Sequence, residues 1–463
     1  MLRPLGRLSR SLLAFRRRRD PGLFLKTLPQ IAVPAAAVET LTDAAAFRDG
    51  LLGSIDKANA RIYLAALYLQ DDHAGREIMD ALYATHRRRP DMEIVVFVDW
   101  HRAQRGLIGK RQSANNAAMY REYAARLGSG VKIYGVPVQT RELFGVQHLK
   151  GFVIDDTVIY SGASLNDVYL ARHGRYRLDR YHLIRSRSLA DSMVEFLRRL
   201  FIESDAVHLL NLGNVPATRT LRAPIRRLRA RMQQARYTFA TTPLSACDVG
   251  VTPLAGFGRS DSALNTALVA LVRSASRKLT ILTPYFNLPS VLRGAIGQLL
   301  KRGCCVTIVV GDKTANDFFI PPHEPFKTIG QVPYLYESNL RRFARAHQRH
   351  IDHGLLNLLL WKHDDNSYHA KGMFIDDSAS VLTGSNFNPR AWTLDLENAL
   401  VLSDPHGLLR AQNEAELERI CRHATRLSGF LELETLRNYP EPVKKTLRRL
   451  GRTRLDRLLN RIL

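Results

Sequence analysis

The sequence predicts an α/β protein made of two copies of one unit, each an α/β/α sandwich, with a functional site where the copies meet. Three observations carry that expectation. A nine-residue phrase is written twice, as His148-Leu149-Lys150-Gly151-Phe152-Val153-Ile154-Asp155-Asp156 and as His369-Ala370-Lys371-Gly372-Met373-Phe374-Ile375-Asp376-Asp377. The strand and helix patterns ahead of each copy follow the same order. The intervals also match: 28 residues from Pro34 to Ile62 against 26 from Pro253 to Leu279, then 86 from Ile62 to His148 against 90 from Leu279 to His369.

Taken in order, hydrophobic periodicity predicts a strand at 31–33, a helix over 44–60, a strand over 61–69, a helix over 76–88, and strands at 93–98 and 131–136. The second copy repeats this with a strand at 249–254, a helix over 262–277, a strand at 278–283, a helix over 291–302, and strands at 304–310 and 358–361. Apolar strands alternating with amphipathic helices imply a largely parallel sheet whose connecting loops supply functional groups. Asp99-Trp100-His101-Arg102, Thr283-Pro284-Tyr285-Phe286-Asn287 and Gly311-Asp312-Lys313-Thr314 follow such strands and are expected at the lip of a pocket.

A chain of 463 residues is long enough for two domains with cores of their own. The expected division is a basic extension over 1–30, a first unit over 31–215, an Arg-rich connection over 216–245, a second unit over 246–435 and a basic amphipathic helix over 436–463. The four cysteines, Cys247, Cys304, Cys305 and Cys421, lack metal-ligand spacing, and an adjacent pair in an apolar strand is a poor disulfide. A reducing cytosol is expected. No run of 18 apolar residues occurs, which excludes a conventional membrane-spanning helix.

Charge is the unusual feature. Lys and Arg total 68 against 43 Asp and Glu, a net +25, which implies attraction to a polyanion or an anionic membrane. Seven arginines precede Asp20, another seven lie between Arg219 and Arg236, and the last 20 residues hold eight basic groups. The first cluster resembles the start of a targeting segment, but the apolar run at 12–15 is too short for a signal core. In the last cluster Leu447, Leu450, Leu455, Leu458 and Ile462 form an apolar stripe flanked by arginines, suited either to a lipid interface or to the protein's own surface.

An imidazole beside an ammonium suits a phosphoryl group. After the first phrase comes Gly162-Ala163-Ser164-Leu165-Asn166, and after the second Gly384-Ser385-Asn386-Phe387-Asn388. The glycines permit close backbone approach, while the amides of Asn166 and Asn388 and the hydroxyl of Ser385 can donate to phosphate oxygens. Asp179 and Glu397 stand 31 and 28 residues after their histidines, where a carboxylate could accept the second imidazole N–H and fix its tautomer.

These residues resemble the phospholipase D superfamily, whose signature HxKx4Dx6GSxxN is given twice in one chain. The first copy has Ala163 where Ser is usual, and the second carries one extra residue before Gly384. The missing hydroxyl predicts weaker hydrogen bonding to phosphate from the first half. Longer segments, from Val98 to Gly106, Thr140 to Val146, Gly311 to Phe318, Pro333 to Glu337 and Pro389 to Trp392, are similar to the bacterial phosphatidylserine synthase branch of that superfamily. The similarity runs from about Pro34 to Leu463.

The resemblance implies phosphatidyl transfer from CDP-diacylglycerol to L-serine, with no cofactor or metal. His148, Lys150, Asp155, His369, Lys371 and Asp376 would be the catalytic set, with Asp155 and Asp376 holding loops rather than touching substrate. His148 would attack phosphorus to give a phosphatidyl-histidine, and His369 would serve as acid and then base. Family tendency alone assigns the two histidines that way round. The implied setting is cytoplasmic, peripheral to the inner face of the cell membrane, with incidental binding to ribosomes or nucleic acid. Two alternatives stay open: another enzyme of the superfamily, such as a cardiolipin synthase, phospholipase D or nuclease, and a non-enzymatic nucleic-acid-binding protein.

Overall fold

The computed structural model describes residues 25–106, 115–321 and 323–453, without the side chains of 449–453. The N-terminal arginine cluster and the end of the C-terminal stripe, Leu455, Leu458 and Ile462, lie outside the described residues.

The first half contributes strands β1 (Ile31–Pro34), β2 (Val38–Thr40), β3 (Arg61–Ala65), β4 (Glu93–Asp99), β5 (Val131–Val136), β6 (Gly151–Ile154), β7 (Thr157–Ser161), β8 (Arg177–Leu178), β9 (Tyr181–Arg185) and β10 (His208–Leu209). The second contributes β11 (Asp248–Gly256), β12 (Lys278–Thr283), β13 (Cys305–Gly311), β14 (Leu356–Trp361), β15 (Ser367–Tyr368), β16 (Gly372–Ile375), β17 (Ala379–Thr383), β18 (Glu397–Ser403) and β19 (Ala424–Arg426). One sheet runs β10-β5-β4-β3-β6-β7-β9-β2 and the other β19-β14-β13-β12-β16-β17-β18-β11-β1. Strand for strand the two orders coincide, with β1 added to the end of the second.

That extra strand corrects the sequence alignment. Residues 31–33 were matched with 249–254, yet β1 pairs antiparallel with β11 itself, Ile31 opposite Val251 and Pro34 opposite Asp248. The true counterpart of β11 is β2, which pairs with β9 at the same edge of the first sheet. β2 has only three residues, Val-Glu-Thr, too little apolar pattern to be seen. The start of the first unit is therefore stitched into the sheet of the second.

The sheets are also less parallel than expected. β3, β4 and β5 run parallel, as do β12, β13 and β14. The strands that carry the repeated phrase are antiparallel, because tight hairpins join β6 to β7 and β16 to β17, and a short turn can only reverse the chain. The first turn uses two residues, Asp155 and Asp156; the second uses three, Asp376, Asp377 and Ser378. The additional residue of the second copy is absorbed there, so Gly162 and Gly384 each directly follow their strand, β7 or β17.

Helices cover the sheets with the faces the periodicity predicts. The helix Ala44–Lys57 buries Phe47, Leu51 and Ile55 and is capped by the Asp43 carboxylate, which accepts from the N–H of Ala45 and Ala46. The helix Ala263–Ser274 buries Leu264, Leu268, Leu271 and Val272 under a Ser262 cap. Two further helices, Asn116–Leu127 and Val332–Ala346, escaped the sequence pattern. The predicted strand 61–69 stops at Ala65, since Tyr68 and Gln70 turn towards Asn166.

In the Arg-rich connection, the helix Arg222–Gln234 buries Ile225, Leu228 and Met232 and leaves Arg222, Arg226 and Arg227 exposed. Beyond it, Tyr237 stacks on Phe196 with ring centroids 4.2 Å apart and meets the Asn398 amide at 3.1 Å, so the connection wedges between the halves. The C-terminal helix Glu441–Thr453 docks on the protein through Val443 and Leu447, beside Tyr334 and Tyr439.

The aspartates that close each phrase stay away from the reaction centre. Asp155 accepts hydrogen bonds from the backbone N–H of Asn59, Ala60 and Arg61 at 2.7–3.1 Å. Asp376 accepts from Ser276, Arg277 and Lys278 in the same way. Each ties its hairpin to the start of a parallel strand. Asp155→Ala and Asp376→Ala are each expected to lower stability by about 2–4 kcal/mol, because charged acceptors are removed from several backbone donors. Urea unfolding measures this, and an unchanged midpoint in both variants would contradict the role.

Candidate active site

Two short parallel pairings bring the repeated phrases together. Ser367 and Tyr368 of β15 pair with Arg177 and Leu178 of β8, and Gln147 bridges to Leu396. The backbone N–H of His369 consequently donates to Leu178 O at 2.8 Å, and that of His148 to Leu396 O at 2.9 Å. Leu178 and Leu396 immediately precede Asp179 and Glu397. Each histidine is thus registered against the carboxylate of the other half.

The side chains follow that register. His148 Nδ1 lies 2.9 and 3.0 Å from the two oxygens of Glu397. His369 Nδ1 lies 3.4 Å from Asp179 Oδ2 and 2.9 Å from Tyr169 Oη. The sequence paired Asp179 with His148 and Glu397 with His369; the fold exchanges them. Spacing along a chain cannot show an exchange between two copies that are nearly equivalent.

The lysines cross as well. Lys371 Nζ donates to Asp179 Oδ2 at 2.7 Å and is in short contact with His369 Nδ1. Lys150 Nζ donates to Ser164 Oγ at 3.1 Å. A Cβ on Gly162 would stand 2.6 Å from Lys371 Nζ, and one on Gly384 would stand 2.6 Å from Lys150 Cγ. The lysine of the opposite half approaches each glycine closely. The Lys150 backbone is clamped on both sides by Asn398, whose Oδ1 accepts from its N–H and whose Nδ2 donates to its C=O, each at 2.8 Å.

His148, Lys150, His369 and Lys371 are all buried, Lys371 completely and His148 at 8% exposure. Burial, reinforced by the neighbouring ammonium groups, holds both imidazoles well below their usual pKa. Burial and the Lys371 charge bring Lys150 down to about 7. Lys371 is lowered by burial against the opposing pull of Asp179. Burial raises Asp179 and Glu397, the latter helped by Asp395. Cations made less basic by desolvation are stabilised by an arriving anion, so the centre suits a phosphodiester.

Other expected residues occupy supporting positions. Asn388 caps the helix Pro389–Thr393 by accepting from Ala391 N–H, and Asn166 Oδ1 accepts from Tyr169 N–H. The Asn166 amide also lies 3.3 Å from Gln70 Oε1 and 3.5 Å from Tyr68 Oη. Ser385 is buried, its Oγ accepting from Phe387 N–H. Of the segments expected at a pocket lip, the first is instead structural: Asp99 is buried and accepts from His101, Arg102 and Gln147 N–H, fixing the residue before His148. Pro284, Tyr285, Phe286, Gly311, Asp312 and Lys313 line one small cavity.

Sequence reasoning missed Tyr169, Asn398 and Ser164. Tyr169 and Ser164 lie in or just beyond the first Gly-to-Asn stretch and Asn398 directly follows Glu397, so adjacency was the available signal. Among the described residues the one group suited to a metal ion is His73, Asp167 and His173, exposed outside this centre, with His73 Nδ1 and His173 Nε2 3.2 Å apart.

Gly162→Ala and Gly384→Ala are expected to reduce turnover at least tenfold by displacing Lys371 and Lys150, and to lower stability by about 1–3 kcal/mol through overpacking, read by urea unfolding. Full activity in either variant would show that the lysine does not need that space.

Residues 268–421 match the family model described as "Cardiolipin synthase, PLD-like domain". The chain is 48% identical to the CDP-diacylglycerol–serine O-phosphatidyltransferase of Escherichia coli strain K12, covering 95% of this chain and 97% of that one. It is 45% identical to the enzyme of that name from Haemophilus influenzae, over 95% and 97% of the two chains. The crystal structure of Haemophilus influenzae phosphatidylserine synthase superposes with a TM-score of 0.93 at 44% identity, covering 96% of this chain and all of the other. With the exchanged histidine, lysine and carboxylate groups of a duplicated phospholipase D-like fold, the chain belongs to the CDP-diacylglycerol–serine O-phosphatidyltransferase family.

Proposed function

We propose that the chain transfers the phosphatidyl group of CDP-diacylglycerol to the hydroxyl of L-serine, releasing CMP, in two steps through a phosphatidyl-histidine. The observation that carries this reading is the pair of buried imidazoles, each answered by a carboxylate of the opposite half, within a family of that activity.

The unequal surroundings support His148 as the nucleophile. The Glu397 carboxylate grips Nδ1 with both oxygens, which keeps the pair's proton there and leaves the Nε2 lone pair for phosphorus. When the P–N bond forms, the positive charge of the ring falls on a proton already shared with Glu397. His369 is held more loosely, between the Tyr169 hydroxyl, the Lys371 ammonium and Asp179, a setting in which a proton can come and go. The negative substrate raises the basicity of His369 and lets it bind a proton. That proton passes to the departing CMP oxygen as the P–O bond breaks. His369 then removes the serine hydroxyl proton, the serine oxygen bonds to phosphorus, and the P–N bond breaks to free His148.

Lys150 and Lys371 neutralise the phosphoryl oxygens in both steps, with Asn166, Asn388 and Ser385 as candidate neutral donors. Incubation with CDP-diacylglycerol and labelled serine is expected to yield CMP and phosphatidylserine. Mass spectrometry of quenched enzyme is expected to map the adduct to His148. An adduct on His369 would reverse the roles, and glycerol or water outcompeting serine would point to another enzyme of the superfamily.

The same reading places the protein peripherally on an anionic membrane at its cytoplasmic face. Among the described residues no helix is long and apolar enough to cross a membrane. The helix Arg222–Gln234 presents exposed arginines, and Leu143 and Phe144 stand exposed on the turn just ahead of His148. Each basic group near such a surface contributes roughly 1 kcal/mol. Cosedimentation with phosphatidylglycerol vesicles should be strong at low salt and fall steeply by about 0.5 M, beyond the reach of screened charge. Binding indifferent to salt would contradict an electrostatic attachment.

A further inference from the structure

We propose that Arg177 and Asp317 form the acceptor subsite and read the two charged ends of an amino acid, Arg177 taking its carboxylate and Asp317 its ammonium. The inference rests on the proposed transfer to a hydroxyl acceptor with His369 as base, and it names what chooses that acceptor.

Arg177 comes from the first half and Asp317 from the second, and they meet 2.8 Å apart with side chains 16% and 14% exposed. Each is linked to the His369 imidazole through one tyrosine. The Arg177 guanidinium lies over the Tyr169 ring, 4.7 Å from its centroid, and Tyr169 Oη lies 2.9 Å from His369 Nδ1. Tyr285 donates its hydroxyl proton to Asp317 Oδ2 at 3.0 Å, and its ring stands edge-on to His369 with centroids 6.0 Å apart. The guanidinium is steadied by its Nε, which donates to Ser367 Oγ at 3.2 Å.

The pair is close in charge but incomplete in hydrogen bonding. Asp317 Oδ1 is buried and makes no hydrogen bond of adequate geometry, Arg177 notwithstanding. A buried carboxylate oxygen held by a nearby charge but by no aligned hydrogen bond can still accept one, and a ligand ammonium would supply three N–H groups. Arg177 offers a planar fork matched to a carboxylate. In serine the ammonium and carboxylate share one carbon and the hydroxyl sits on the next. Seating the charges on this pair beside His369 brings the hydroxyl to the base.

Comparison of the halves shows that the feature belongs to one side only. Arg177 stands two residues before Asp179; two residues before Glu397 stands Asp395. That carboxylate accepts from Val146 N–H at 2.9 Å and pairs with Arg390 at 3.0 Å, fully engaged in holding the strand of His148. The ion pair on that side is spent on structure, since Arg390 also donates to Glu142 O at 2.8 Å and Leu143 O at 3.1 Å, whereas Arg177 and Asp317 join one half to the other beside the proposed base.

Acceptor selectivity tests the assignment, as ratios of kcat/KM for serine, ethanolamine, which lacks the carboxylate, and 3-hydroxypropionate, which lacks the ammonium. The wild-type protein should prefer serine over each by about 100-fold or more, as sites built for polar groups do. Asp317→Asn should shrink the preference over 3-hydroxypropionate at least tenfold and leave that over ethanolamine within threefold. Arg177→Gln should do the opposite. Ratios that stay fixed, or that move together in both variants, overturn the proposal.

A measurement on the wild-type protein alone guards against variants that do not fold. L-Alanine, a zwitterion without the hydroxyl, should compete with serine at least tenfold better than propionate or ethylamine, and equal potency of the three overturns the subsite. A wild-type protein that forms no phosphatidylserine at all would instead sink the proposed function.

Discussion

The exchange of carboxylates between halves is the constraint on which the rest of the structure depends. His148 is completed by Glu397 and His369 by Asp179, so neither half holds a finished imidazole–carboxylate pair. The exchange begins in the backbone, where the N–H of each histidine bonds to the residue before the other half's carboxylate. It continues where each lysine passes over a glycine of the opposite half. Burying two ammonium groups and two carboxylates in one centre is costly when they are unpaired. The crossing pairs offset that cost only after both sheets have formed and met, so the site and the union of the halves arise together. Arg180 reinforces the union, gripping Glu416 through two hydrogen bonds and Val381 O through a third. β1 and Tyr237 tie the same seam from the sheet edge and the connecting segment.

Duplication supplies two equivalent imidazoles, but the two-step reaction proposed for the chain requires unequal ones. The difference arises in what touches each imidazole. Glu397 is one methylene longer than Asp179 and reaches Nδ1 with both oxygens, whereas Asp179 divides itself between Lys371 and His369, and Tyr169 enters on the His369 side. Environments that push two similar groups apart are how one set of side chains takes two roles.

Much of this was legible in the sequence because duplication writes its signal twice. The strands at 131–136 and 278–283 lie where apolar pattern placed them, and the matched intervals foreshadowed the matched strand orders. What escaped depends on three-dimensional proximity. No spacing distinguishes a carboxylate that serves its own histidine from one that serves its twin. β2 is too short to have a period, so the pattern matches β1 in its place and conceals that β1, the first described strand, lies in the other half's sheet. Glycines read as making room for phosphate make room for lysine carbon and nitrogen, contacts between residues more than 200 positions apart. The closing aspartates illustrate the converse, since the left-handed backbone at Asp155 and Asp376 identifies them as turn residues, which a motif cannot reveal.

The electrostatics of the centre connect its cost to its use. Lys150, brought to about 7 by burial and by the Lys371 charge, is only partly protonated near neutrality, and the imidazoles are neutral. Burial disfavours protons on these groups, and the charge of an anionic phosphodiester beside them would favour protonation again. A centre built with full positive charge in water would attract phosphate more strongly at a distance but would gain less from desolvation on contact. The proposed attraction to an anionic membrane would rest instead on the arginine-rich surface, where Arg222, Arg226 and Arg227 are exposed. Separating attraction on the surface from charge acquired on binding allows a chain of net charge +25 to keep a buried, nearly neutral reaction centre.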